Sequence, residues 1–252
     1  MLRYPVPMVP PCPRALVIVA HPDDAESHAG GTVAKFTRTG TKVAYCIVTN
    51  GEKGSADPTM TPGRLTTIRQ EEQRQAARVL GVEAVEFLGF PDCEVENTRQ
   101  TRLAITAAIR RHRPDLLLVQ DPTRTRRLGA SHRDHRVVAE IALDCVTSLA
   151  CAHLAFPELL EQGLEPHAVK EVRLMVSEDP DIVVDITKTI ELKIAALACY
   201  TSQMPDRAAL DRNVRERATQ VGQRMGYRYA EAFGHIANDD IGCRHHGPAP
   251  LA

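Results

Sequence analysis

The sequence predicts an α/β fold, a Rossmann-like three-layer α/β/α sandwich around a mainly parallel sheet. Three observations carry that expectation. Short β-branched and aliphatic runs at 14–20, 43–49, 83–88 and 115–120 alternate with stretches of helical periodicity, which is the βαβ signature. Hydrophobic residues make up 43% of 252, yet aromatics only 4% with no Trp, so aliphatic side chains must fill the interior, as they do where helices cover a parallel sheet. His-Asp clusters also fall directly after two of the runs, at Ala20 and Gln120, where ligands bind in such sheets.

The elements follow in order. The run Arg14 to Ala20 reads as the first strand and Gly31 to Thr39 as the first helical pattern. After the second run, residues 50–63 carry Gly-Glu-Lys-Gly, Asp-Pro and Thr-Pro-Gly, a long polar stretch rich in turn residues that is a candidate substrate loop or a plain surface connection. A helix is expected from Arg64 to Leu80, stopped by Gly81, and another from Thr98 to His112, ahead of Pro114. A further helix begins near His132. Runs at 169–176 and 181–186 extend the sheet, with covering helices from Lys188 to Tyr200 and Arg207 to Met225. We expect a proline-rich N-terminal extension over 1–13, a single domain over 14–240 and a disordered tail over 241–252. No internal repeat is visible.

A formal charge of −1 marks no nucleic-acid or anionic-membrane surface, so a small-molecule substrate is the default. No apolar stretch is long enough to span a bilayer. Seven scattered cysteines, several inside apolar runs, favour buried thiols and a reducing cytoplasm over disulfides. A homo-oligomer is left open.

The chemistry concentrates in His21-Pro22-Asp23-Asp24-Ala25-Glu26 and Ser131-His132-Arg133-Asp134-His135. His21, His135 and one carboxylate of the Asp pair can supply three ligands to a hydrolytic metal with a position open for water. A proline-fixed turn aims His21 and Asp24 at one ion and Asp23 elsewhere, free to act as a base. His132 can serve a developing oxyanion or a leaving amine, and Asp134 can orient an imidazole. Arg124, Arg126 and Arg127 offer an anion contact or a solvated basic loop. Two alternatives share these residues. Two histidines and a carboxylate also suit non-haem iron(II) in an oxygenase, and the pocket alone suits a non-catalytic binding protein. A dinucleotide-binding reading lacks the Gly-rich phosphate loop.

The strand followed by Ala-His-Pro-Asp-Asp-x-Glu, then Gly30-Gly31-Thr32 and the later His132-x-Asp134-His135, resembles the LmbE-like (PIG-L) zinc N-deacetylases. Supporting similarities run in the same order: Thr49 to Gly54, Arg69-x-x-Glu72 ahead of Gly81, Phe87 to Asp92, and Lys193 through Ser202-Gln203, so that roughly residues 14–235 are covered. The resemblance implies zinc held by His21, Asp24 and His135, with iron(II) as an alternative occupant. It implies Asp23 as general base, and His132 as oxyanion stabiliser or acid. Arg69 and Asp92 would be substrate contacts, for which a salt bridge within the fold is the competing account. The implied reaction is removal of an N-acetyl group from an N-acetylglucosaminyl-type sugar or sugar-bearing natural product. Arg133 departs from the proline usual in the second motif, and Ala25 separates the Asp pair from Glu26; neither removes a ligand or the base.

Overall fold

A computed structural model describes residues 12–123, 132–223 and 225–237. The expected N-terminal extension apart from residues 12–13, the loop arginines 124, 126 and 127, and the tail over 241–252 lie outside those residues. Among the described residues seven strands form one sheet: β1 (Arg14–Val19), β2 (Lys42–Thr49), β3 (Ala84–Phe90), β4 (Leu116–Gln120), β5 (Glu171–Met175), β6 (Ile182–Asp185) and β7 (Ala230–Ala237). Their order is β3-β2-β1-β4-β5-β7-β6. The first five pair in parallel, and β7 lies antiparallel between β5 and β6. The helices are α1 (Asp24–Arg38), α2 (Pro62–Leu80), α3 (Arg99–His112), α4 (Arg133–Asp144), α5 (Pro157–Glu161), α6 (Ile190–Leu197) and α7 (Arg207–Gln223), with a π-helical turn at Cys145–Leu149 after α4.

Strand alternation builds the layers. Val17 and Val19 of β1, with Tyr45 and Ile47 of β2, face a core completed by Ala29 and Val33 of α1, Ala76 and Leu80 of α2 and Ile190 of α6. Leu16 and Ile18, with Cys46 and Val48, face the opposite core, closed by Ile105 and Ile109 of α3 and Val138 and Ile141 of α4. Because β1 is central and covered on both faces, it reads as an unbroken apolar run. Each such burial contributes on the order of 1.5–3 kcal/mol, so a charged substitution within β1 would undo the sheet's centre.

The first helix starts seven residues before Gly31, at Asp24. Glycine is a weak helix former and Gly30-Gly31 reads as a boundary, but a Cβ at Gly31 would lie 2.7 Å from Ile186 Cδ1, so the pair serves close packing inside the helix. The last helix ends at Gln223. Cys12, Cys46, Cys93, Cys145 and Cys199 carry free thiols; Cys151 is disulfide-bonded, against the expectation of thiols throughout.

Candidate active site

The end of β1 delivers His21, and the turn that follows launches α1, so Asp23 caps the helix and Asp24 is its first residue. Across β4, His132 caps α4 and its Nδ1 accepts the Asp134 N–H at 3.2 Å. His135 stands in the first turn of that helix. Parallel β1 and β4 are direct neighbours, which brings together two motifs more than a hundred residues apart in the chain.

His21, Asp24 and His135 converge, with ligand atoms all within 4.8 Å of one another. His21 Nδ1 is 3.1 Å from His135 Nε2, and His135 Nε2 is 3.1 Å from Asp24 Oδ1. The other carboxylate oxygen, Asp24 Oδ2, lies 3.4 Å from His21 Nδ1 and accepts the His21 N–H at 2.9 Å. On the far side of the ring, His21 Nε2 is 3.1 Å from Asp92 Oδ1 and 3.5 Å from Asp134 Oδ2. Asp134 also accepts the Cys93 N–H at 2.7 Å. His28, one turn along α1, approaches Asp24 Oδ1 to 3.7 Å.

These contacts shape the charge. Burial by itself would lower the His21 imidazole, but hydrogen bonds to Asp134, Asp24 and Asp92 outweigh it and push the ring up to about 12. Burial likewise opposes ionisation of Asp24, yet His135 and His21 hold it well below the usual carboxylate range. The cluster therefore calls for positive charge, which either protons or a divalent cation supplies. Two imidazoles and a carboxylate with facing donor atoms, one ring backed by further carboxylates, form a donor set that fits a divalent metal such as zinc. Burial and the adjacent Asp24 carboxylate raise Asp23 to about 7, against the pull of Arg69, His21 and His135. Burial and the neighbouring His21 lower His132.

The two residues expected to touch substrate sit deeper than that role suggests. Arg69 is 4% exposed and donates to Gly51 O at 2.8 Å and Pro22 O at 2.7 Å, with Asp23 Oδ2 at 3.3 Å. Its guanidinium binds the turn and pairs with Asp23, the arrangement weighed as a salt bridge within the fold. Gly51 makes that approach feasible: its φ is +64°, and a Cβ there would lie 2.5 Å from Arg69 Nη1. Asp92, 5% exposed, backs His21 and accepts the Lys53 N–H at 3.2 Å.

Around the site stand Glu26 and Lys193, which the motifs include, and Gln73, Cys93 and Glu231, which they do not. Gln73 and Glu26, both fully buried, lie beneath the Asp23 turn. Cys93 Sγ stands 3.6 Å from His132 Nε2. Lys193 and Glu231 form a buried pair at 2.6 Å, in which Glu231 also accepts the Gly31 and Thr32 N–H groups. Gln73 lies four residues beyond Arg69, one turn along α2, which is a faint signal. Glu231 carries none, because its partners lie far away in the chain, Lys193 before β7 and Gly31 and Thr32 in α1.

The family model described as PIG-L, GlcNAc-PI de-N-acetylase, matches residues 16–146. The chain is 32% identical to the diacetylchitobiose deacetylase of Thermococcus kodakarensis over 222 residues, 87% of this chain and 82% of that protein. It resembles the solved N,N'-diacetylchitobiose deacetylase of Pyrococcus horikoshii with a TM-score of 0.84 at 30% identity, covering 95% of this chain and 88% of that one. The 4-oxalmesaconate hydratase of Pseudomonas putida is 25% identical over 238 residues, 87% of each chain.

Proposed function

This chain belongs to the PIG-L family, and on that premise we propose that it is a zinc-dependent N-deacetylase acting on an N-acetylglucosaminyl-type sugar or glycoside. The observation that carries the reading is the convergence of His21, Asp24 and His135, with a second carboxylate, Asp23, beside it and left out of the donor set. Two relatives whose names state removal of acetyl groups from diacetylchitobiose support the substrate class.

His21, Asp24 and His135 would hold the ion, which when bound supplies Lewis acidity to a water and to the amide carbonyl. Asp23 accepts the proton of the attacking water and returns it to the nitrogen of the leaving amine as the C–N bond breaks. A base works best when its pKa is near the operating pH, and burial brings Asp23 there. Arg69 keeps its carboxylate in place through Oδ2. Asp92 fixes the His21 ring by accepting its Nε2–H, which leaves Nδ1 for the ion.

For His132 the tautomer separates the two roles. Its Nδ1 accepts the Asp134 N–H, so the neutral ring carries its proton on Nε2. A neutral imidazole donating through Nε2 suits stabilisation of the oxyanion, whereas an acid that shuttles a proton would need Nδ1–H against the Asp134 N–H. We assign His132 to the oxyanion. Among the described residues no helix is long and apolar enough to cross a membrane.

The test is Asp23→Asn with zinc loaded. The variant should bind one equivalent of metal and release amine at least a hundredfold more slowly than wild type. Near-wild-type turnover would remove Asp23 from the reaction.

A further inference from the structure

The base sits on a backbone that needs outside support. Asp23 adopts φ 90° and ψ −20°, in the left-handed region, and its side chain makes no capping hydrogen bond to α1. For a residue with a Cβ such a conformation is unfavourable and persists only where its surroundings enforce it. The enforcement comes from α2. Gln73 Oε1 accepts the Asp23 N–H at 3.2 Å, and one turn earlier on that helix Arg69 holds the Pro22 carbonyl.

The Gln73 amide has one orientation available. Its Nε2 donates to Glu26 Oε1 at 3.0 Å, and Glu26 Oε2 accepts the Tyr200 hydroxyl at 2.8 Å. A backbone N–H only donates, so Gln73 presents oxygen to Asp23 and is left with nitrogen for Glu26. Both residues are fully buried, which keeps water from substituting for either bond.

We propose that Gln73 is a positioning residue for Asp23: clamped by Glu26 and Tyr200, it fixes the left-handed turn from its backbone side and thereby the aim of the carboxylate. This rests on Asp23 being the base. A misplacement of about 1 Å in a reacting group can lower a rate on the order of a hundredfold. Leu at 73 fills the space without an acceptor for the N–H, and Met offers only a weak thioether one.

The experiment measures kcat, KM and bound zinc for the full chain, with three variants beside wild type. Gln73→Met should lower kcat at least tenfold while KM stays within twofold and one equivalent of zinc is retained. The exchanged pair Gln73→Glu with Glu26→Gln keeps the acceptor for Asp23 and reverses the second hydrogen bond, since the amide placed at position 26 donates to the carboxylate placed at position 73 and accepts from Tyr200. That double variant should return to within threefold of wild-type kcat, which general loosening of the core would not allow. Glu26→Gln alone sets two donor-acceptor amides against each other and should hold kcat above that of Gln73→Met. Gln73→Met within twofold of wild type, or an exchanged pair as slow as Gln73→Met, overturns the proposal. Wild-type protein that binds zinc and releases no amine would instead overturn the reading on which it rests, and the positioning role with it.

Discussion

His21 Nε2 and Asp92 Oδ1 face each other at 3.1 Å, and this pairing turns the ring's other nitrogen towards His135 and Asp24. A carboxylate behind a ligating imidazole fixes its tautomer and raises its basicity, and loss of such a partner weakens metal binding by roughly 10–100-fold. Asp92→Ala should therefore lower zinc affinity by about that factor in competition with a chelator, with KM little changed once metal is saturating. Unchanged affinity with a raised KM would return Asp92 to the substrate.

Arg69 should be irreplaceable even by lysine. A lysine ammonium lacks the planar fork that reaches Gly51 O, Pro22 O and Asp23 together. Arg69→Lys should reduce kcat tenfold or more, and Arg69→Ala should also destabilise the fold by about 3 kcal/mol, as breaking buried charge pairs does. Gly51→Ala should mimic the first effect, because its Cβ would enter the guanidinium. Kinetics and chemical unfolding of the three variants check this.

His132→Ala should keep its metal and lose about 10²–10³ in kcat, the magnitude expected for one oxyanion donor. Because the assigned donor is a neutral N–H, His132→Asn should recover part of the loss through its amide, and His132→Asp should not. Equal rates for Asn and Asp would argue against an N–H donor.

Much of this was legible in the chain, for definite physical reasons. Strands buried on both faces give unbroken apolar runs, so β1, β2 and β4 announce themselves, and Gly81 marks the end of α2 as a left-handed cap. His21, Asp24 and His135 could be grouped because parallel neighbours must present their carboxyl ends on one edge. β7 was hidden: Ala230–Ala237 carries Glu231 and His235, and a charge inside a strand reads as surface until Lys193 is seen against it. Gln73 and the depth of Arg69 were hidden likewise, since helical spacing shows a shared face and not what that face touches. Gly30-Gly31 misled because local propensity favours a boundary where tertiary packing demands small residues.

Stability and catalysis should separate at Arg110, in the last turn of α3. Its buried guanidinium donates to the carbonyls of Leu149, Ala150, Ala152 and Ala155 at 2.8–3.1 Å, tying the segment after α4 to α3. Arg110→Ala strands several buried acceptors, each worth about 1–3 kcal/mol, and should lower unfolding free energy by roughly 3 kcal/mol. The kcat of the remaining folded protein should match wild type. A parallel fall in kcat would show that this segment communicates with the site.

Release of primary amine and acetate from N-acetylglucosaminides, diacetylchitobiose among them, should be followed for zinc-loaded protein beside a sample stripped by chelator. A zinc-dependent N-deacetylase yields amine and acetate in equal amounts when loaded, neither when stripped, and both again when zinc is returned. Tight zinc binding with no amine released from any of them, or activity indifferent to the chelator, would contradict that assignment; addition of water to an unsaturated acid in place of amide cleavage would move the chain towards its hydratase relative.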